Sequence, residues 1–395
     1  MVDQSELDTS WRLVTDDAEL ERAAATLAGG SGPVGIDAER ASGFRYGSEA
    51  YLVQAFRRDA GIFLFDPVNI GDFSPLAEAI GEEEWILHAA SQDLPCLDEI
   101  GLRPQRVFDT ELAARLLGYE RVGLGAIVEK LLGITLDKAH SAADWSQRPL
   151  PDSWLEYAAL DVALLPELRD AVVADLEDQG KTLFAQQEFE AVRTKPVVVR
   201  TGEPWRRLSG GHKLRSPRQL ALARELWTAR DELARQLDIA PGRLIPDSSI
   251  IAAVIANPRS KNDLARLQTF KGRASRTELD RWWRALKRGK LTEDLPGANP
   301  RESGSIPHHR GWSQRHPEAA ARLVAARAGI EAEAERQRIP VENLLTPAYV
   351  RQLAWNPPSD RDAASVALRL REFGAREWQI GITAPILAAA FVESA

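Results

Sequence analysis

Two hydrophobic rhythms divide the chain. Up to about residue 180, short apolar runs alternate with helix-period segments; beyond it the helical period stands almost alone. Pro33–Ile36, Tyr51–Phe56 and Gly61–Asp66 predict three strands, the last two joined across the turn Arg57–Ala60. Trp85–His88 predicts a fourth. Helices are expected at 74–81, about 91–100, 109–118 and 123–132, and from Asp152 into the 170s with Asp152 as N-cap. Antiparallel strands, a further strand and many helices give an α/β unit, a mixed sheet with helices packed on it.

From 181 onward only Lys195–Val199 keeps a strand-like pattern. Two helical blocks, 216–290 and 314–392, flank a Pro/Gly/Ser-rich linker, Leu295–Pro307. The blocks look like a repeat. Ile239-Ala-Pro-Gly-Arg-Leu244-Ile245 aligns with Ile339-Pro-Val-Glu-Asn-Leu344-Leu345 at an offset of 100, and Asn257-Pro258 aligns with Asn356-Pro357 after a one-residue slip. The expected units are therefore an α/β domain over 1–200, a small all-α domain over 213–293, a linker over 294–313, and a second small all-α domain over 314–395.

At 395 residues the chain suits roughly two to four domains. No run approaches the roughly 18 apolar residues of a membrane helix, and the acidic N-terminus lacks the layout of a signal peptide. The single cysteine, Cys96, excludes an internal disulfide and a Cys-rich zinc site. A soluble cytoplasmic protein is the expectation, and a monomer, since two helical repeats leave no obvious apolar face over. The net charge of −8 hides a split: residues 1–200 carry 18 basic against 36 acidic side chains, and residues 206–290 carry 20 against 8. An acidic front joined to a basic module predicts a polyanionic partner, unless the two halves are simply two solvated surfaces.

The strongest candidate chemistry lies in Gly35-Ile36-Asp37-Ala38-Glu39. Strand period places Asp37 and Glu39 on one face, where they repel unless a cation lies between them; hard oxygen donors suit Mg²⁺ or Mn²⁺. Taken alone, such a pair is more often a wet strand face. In His88-Ala-Ala-Ser-Gln-Asp93 a strand ends and an acid opens a helix, which by itself reads as complementation of the helix dipole. In Tyr157-Ala-Ala-Leu-Asp161 the phenol and carboxylate share a helix face. Together Asp37, Glu39, Asp93 and Asp161 can form a two-metal site that activates water against a phosphodiester, with Tyr157 orienting the water.

These motifs in this order resemble the exonuclease motifs of the DEDD superfamily, in its tyrosine-bearing branch. Phe108-Asp109-Thr110-Glu-Leu-Ala and Asp144-Trp145-Ser-Gln-Arg148-Pro149-Leu150 narrow the resemblance to the ribonuclease D family, and the helical repeats resemble its HRDC domains. The resemblance covers nearly the whole chain. It implies a ribonuclease-H-like mixed sheet flanked by helices, followed by two small all-α domains. It further implies 3′→5′ hydrolysis of RNA to nucleoside 5′-monophosphates, as in tRNA and stable RNA 3′ maturation. Asp37, Glu39 and Asp161 would hold one divalent metal ion, Asp37 would bridge to a second, Asp93 would support the second, and Tyr157 would position the water. The segment Arg40–Gly47 departs from the family's usual wording; Phe44, Arg45 and Tyr46 are candidates for contact with the 3′ nucleotide.

His88 reads as structural, and Asp109 as the N-cap of the helix that follows it. Arg148 is open between a substrate phosphate and an ion pair with Asp144 or Asp152. In the basic block Lys271, Arg273, Arg276, Arg284 and Lys287 are expected to meet RNA, with at least one of Trp282 and Trp283 in the core. The segment Phe270–Ala274 reads as a turn between helices. The second helical block, with 12 basic and 11 acidic residues over 301–395, is expected to bind polyanions poorly and to pack on the rest or shape the entrance. His308, His309 and His316 lack zinc-site spacing. Two rival functions stand: a 3′→5′ DNA exonuclease with the same chemistry, and a non-catalytic nucleic-acid-binding scaffold.

Overall fold

A computed structural model of the protein describes residues 10–136, 143–196, 202–297 and 306–393. The α/β unit contains a six-stranded sheet of β1 (Trp11–Val14), β2 (Ser31–Arg40), β3 (Ala50–Arg58), β4 (Gly61–Phe65), β5 (Glu84–Leu87) and β6 (Arg106–Asp109). Its order is β1-β4-β3-β2-β5-β6. β2, β3 and β4 form an antiparallel meander, while β1, β5 and β6 pair in parallel with their neighbours. The sheet is mixed and ribonuclease-H-like, as expected from the residues and the resemblance. β1 and β6 escape the sequence pattern because each is four residues long, and Trp-Arg-Leu-Val and Arg-Val-Phe-Asp mix charge with apolar residues.

The sheet is covered on both sides. α1 (Asp17–Ala28), α2 (Ser74–Ile80) and α3 (Leu94–Glu99) bury one face around Val34, Ile36, Phe63 and Trp85. α4 (Thr110–Leu116), α5 (Leu124–Leu132), α6 (Asp152–Ala163), α7 (Leu165–Asp178) and α8 (Thr182–Arg193) bury the other around Leu52, Leu64, Ile86 and Phe108. The helix expected from Asp152 into the 170s is two helices. Pro166, in the first turn of α7, has no N–H to continue the ladder, and the break falls at Leu164. Pro151 is the N-cap of α6, without a side-chain bond, so Asp152 is its first residue and not its cap. The 91–100 segment divides at Asp93 into a 3₁₀ turn, Ala90–Gln92, and α3. Of Lys195–Val199, residues 197–199 lie outside the described residues.

The rest is helical, and the repeat is structural. α9 (Pro217–Leu237) and α16 (Pro317–Gln337) each have 21 residues and open on proline. Their C-caps, Asp238 and Arg338, both adopt the left-handed conformation, at φ 50° and 53°. α10 (Pro241–Leu244) repeats as α17 (Val341–Leu344), and α11 (Asp247–Ala256) as α18 (Pro347–Trp355). Beyond these the units diverge. The first continues with α12 (Lys261–Ala265), α13 (Arg273–Thr277) and α14 (Leu279–Leu291). The second has α15 (Trp312–Arg315) before its long helix, and α19 (Ala363–Glu372) and α20 (Glu377–Glu393) after it.

The two units attach differently. The first has its own core around Leu226, Phe270 and Trp282. The second continues the apolar layer of the α/β unit: Phe184 stacks on Trp378 at 4.5 Å between ring centres, and the Trp378 indole N–H donates to Glu188 at 3.0 Å. Arg376 pairs with the same Glu188 carboxylate. The expected packing of the charge-balanced block on the rest is therefore present. No helix among the described residues is long and apolar enough to cross a membrane.

Candidate active site

β2 is central in the sheet and delivers Asp37 and Glu39; α6 crosses β2, β3 and β4 and delivers Tyr157 and Asp161. Gly35 lets these elements approach. A Cβ there would lie 3.0 Å from the Val162 carbonyl and 3.3 Å from Leu165 Cβ, so a larger residue would push away the helix end that carries Asp161. Carboxylate oxygens of Asp37, Glu39 and Asp161 all lie within 4.8 Å of one another. The Tyr157 hydroxyl hydrogen-bonds to Asp161, one turn along the same helix.

Asp93 arrives by a different route. After β5, Ala89 takes the left-handed conformation at φ 64°, and the chain turns through Ala90–Gln92 to bring Asp93, 5% exposed, within electrostatic reach of Asp37 but outside the trio whose oxygens lie within 4.8 Å of one another. A left-handed alanine is strained unless its surroundings hold it. Asp109 does so. Its buried carboxylate accepts from Ala89 N (3.1 Å) and Ala90 N (2.9 Å) while capping α4 through Glu111 N and Leu112 N, both at 3.0 Å. The expected N-cap is thus also the brace of the Asp93 turn. His88 is structural as expected: its Nδ1 lies 2.9 Å from Thr110 Oγ1, and burial lowers its pKa to about 4, keeping it neutral.

Two site residues escape the sequence reading. Arg40 ends β2 where the register with β3 slips, and its guanidinium reaches Asp93 (3.3 Å) and the Gln92 carbonyl (2.9 Å). Strand alternation would place it opposite Asp37 and Glu39, so periodicity hides it. Gln54 stands directly across from Asp37 on β3, is fully buried, and has neither amide atom hydrogen-bonded among the described residues. A glutamine inside an apolar strand is a usable signal, but it names no partner.

Electrostatically the cluster is unbalanced. Burial, opposed by the Ala38 N–H and by Arg40, raises Asp37 to about 6. Burial and then Asp37, Asp161 and Asp93 raise Glu39 to about 9. Burial and then Asp37 raise both Asp93 and Asp161 to about 8. One arginine does not neutralise four acids, and an unpartnered amide lies beside them. Such a donor set fits hard divalent cations. Burial and the carboxylates also raise the Tyr157 pKa, so the phenol stays protonated and able to donate.

Three family models match the chain. One described as a 3′-5′ exonuclease matches residues 11–177, an HRDC domain matches 219–286, and a 3′ to 5′ exonuclease C-terminal domain matches 305–391. The chain is 30% identical over 265 residues to the ribonuclease D of Bartonella henselae, covering 66% of this chain and 64% of that protein, slightly under two thirds of the relative's length. It is also 30% identical over 351 residues to the ribonuclease D of Zymomonas mobilis, covering 83% and 89%. The chain belongs to the ribonuclease D family. The region matched by the 3′-5′ exonuclease model is the one that carries the carboxylate cluster. A solved protein from Bifidobacterium adolescentis superposes with TM-score 0.87 at 38% identity, covering 96% of this chain and 97% of that one. Escherichia coli RNase D shares the fold at TM-score 0.67 and 24% identity, covering 93% and 100%.

Within this ribonuclease D relative, the remaining candidates separate. Arg148 is a correction. All its donors are engaged: the Asp66 carboxylate takes two at 2.8 and 2.6 Å, and the carbonyls of Trp145, Gln147 and Tyr51 accept the rest. The partner is neither Asp144 nor Asp152, and no donor remains for a phosphate.

Phe44 and Arg45 are drawn to the first helical unit. The Arg243 guanidinium lies 3.8 Å from the Phe44 ring centre. Arg45 donates to Ser146 (2.7 Å) and pairs with Asp238 (3.1 Å), and the Tyr46 hydroxyl donates to Asp231 at 3.0 Å. The segment after Glu39 is a docking loop, though the Arg45 side chain stays 39% exposed.

Lys271, Arg273, Arg276, Arg284 and Lys287 are exposed. None forms an ion pair closer than 4 Å among the described residues, and Arg284 donates only to the Asp280 carbonyl. Phe270 and Trp282 are core; of the turn expected over Phe270–Ala274, residues 270–272 are non-helical while Arg273 and Ala274 open α13; Trp283 is half-buried with Lys287 and Lys290 near its ring.

Proposed function

We propose that this chain hydrolyses RNA from the 3′ end in a divalent-metal-dependent reaction, releasing nucleoside 5′-monophosphates, with the 3′ ends of tRNA and other stable RNA precursors as substrates. The observation that carries the reading is the trio Asp37, Glu39 and Asp161, with oxygens within 4.8 Å, beside Asp93 and a protonated Tyr157. Asp37, Glu39 and Asp161 would hold one cation, and Asp37 with Asp93 a second. Two such ions, when bound, polarise the phosphodiester, make water more acidic and stabilise the leaving oxygen.

The chain's own groups do the rest. Tyr157 holds the attacking water against the phosphorus by hydrogen bonding, its own direction fixed by Asp161. Arg40 keeps Asp93 turned into the cleft. Asp109 holds the strained turn that presents Asp93. The α/β unit, residues 1–200, does the chemistry, and the exposed cations of the first helical unit, residues 213–293, neutralise phosphates without regard to sequence.

The test is a gel. A 5′-labelled RNA and the matching DNA are incubated with Mg²⁺, Mn²⁺ or EDTA. A metal-dependent ladder retreating from the RNA 3′ end is expected. Equal ladders on DNA would transfer the reading to a DNA exonuclease, and no ladder with either metal would leave a binding scaffold.

A further inference from the structure

The second helical unit is nearly charge-neutral in total, yet its charges are not evenly spread. A cavity of about 820 Å³ opens between residues 306–309, α18 and α19. His308, His309, Arg351, Arg369, Trp355 and Phe373 line it, and no carboxylate among the described residues does. Arg351 and Trp355 lie one turn apart on α18 and share its face. Arg369 pairs with Glu372 at 2.5 Å outside the cavity and lies 5.2 Å from the Phe373 ring centre. The His308 and His309 rings stack at 4.7 Å. Burial and then Arg327, His308, Arg351 and Arg310 hold the His309 pKa below its ordinary value, a sign of how cationic the pocket is.

Concave walls that combine Arg and His with aromatic faces select an anion carrying a flat ring. The volume lies in the range of sites that enclose one small organic group. Gln352 and Asn356, also in the wall, can donate to and accept from a base edge. An acidic peptide would satisfy the cations but leave the aromatic and amide walls without a matching group.

We propose that this cavity is a second RNA-docking site, which holds a nucleotide of the substrate body by its phosphate on Arg351 and the two histidines and by its base against Trp355 and Phe373. It rests on the exoribonuclease reading above and deepens it: the helical unit that composition marks as a poor polyanion binder has one concentrated binding point.

The probe is a fluorescein-labelled stem–loop RNA with an unpaired 3′ tail, titrated with the full chain in EDTA at several salt concentrations. Arg351→Glu should weaken binding about tenfold and lower the slope of log Kd against log salt by about one. Arg351→Lys should restore most of the affinity, and both variants should melt with the wild type. Unchanged affinity and slope in Arg351→Glu would overturn the proposal. So would full competition by millimolar adenosine monophosphate at this site, which would make it a mononucleotide pocket. Binding in EDTA needs no hydrolysis, so a wild-type protein that binds this RNA but never shortens it with metal would fail the exoribonuclease reading instead.

Discussion

In the cleft, three carboxylates crowd within 4.8 Å on a strand and a helix that Gly35 allows into contact. On α13, α14 and the connection before them, Lys271, Arg273, Arg276, Arg284 and Lys287 are dispersed and exposed, without close ion pairs. Like charges are concentrated in one place and dispersed in the other. Concentration stores electrostatic repulsion that a cation relieves, so each member of the cluster is indispensable. Dispersion lets water screen each charge, so any one cation can be lost at small cost.

The sharpest way to break this contrast is Asp37→Ala or Asp161→Ala. Losing the metal's contribution to the transition state, several kcal/mol, lowers turnover by roughly 10³-fold. RNA affinity measured in EDTA should stay at the wild-type value. Comparable turnover by either variant would remove the cluster from the chemistry.

Next comes Arg148→Ala, which probes a charge spent on structure. It leaves Asp66, 3% exposed, without its guanidinium, and unpairing a buried ion pair costs about 3–5 kcal/mol. Denaturant melts should show that loss. A variant with normal stability but weakened RNA binding would reinstate Arg148 as a phosphate contact.

Tyr157→Phe keeps the ring and removes the hydroxyl. Misplaced water should lower kcat by about 10–10²-fold with KM little changed. A rise in KM alone would make Tyr157 a binding group.

The cluster also makes stability fall with pH when metal is absent. The folded carboxyls keep protons, up to about 8 for Asp93 and Asp161, that the unfolded chain releases near 4. The unfolded state therefore binds fewer protons across that window, and the contribution of these groups to stability declines as pH rises through it. Thermal melts in EDTA between pH 5 and 8 (about the span of the shifts) should show the decline, and Mg²⁺ should flatten it. A cluster variant such as Glu39→Gln should flatten it without metal.

Smallest are the dispersed cations. Lys271→Ala or Arg276→Ala should each raise KM by only about two- to fivefold, lower the salt slope by about one, and leave kcat alone. A single substitution that abolished binding would show that the module is a built site after all.

What could be read in advance follows the same division. Asp37 with Glu39, and Tyr157 with Asp161, were legible as pairs because strand and helix periods fix which side chains share a face; that the two pairs belong to one site came from the resemblance of the motifs in their order. The helical repeat was legible, since the offset of 100 between Ile239 and Ile339 is also the offset between α9 and α16. Arg45 and Arg148 show the limit. Composition counts charges but cannot tell which are consumed, and their partners Asp238 and Asp66 lie far along the chain. Arg40 and Gln54 were hidden because their roles depend on a register slip and a cross-strand pairing, which only the assembled sheet defines. β1 and β6 were too short and too mixed in polarity to carry a period.

The most direct measurement is calorimetric titration of Mn²⁺ into the metal-free protein near pH 7, repeated in buffers of different ionisation enthalpy. Glu39, Asp93 and Asp161 all hold protons above that pH. Saturable binding with net proton release, abolished in Asp37→Ala, is the predicted result. Absence of binding, or binding that survives Asp37→Ala with no protons released, would contradict a metal centre in this cleft.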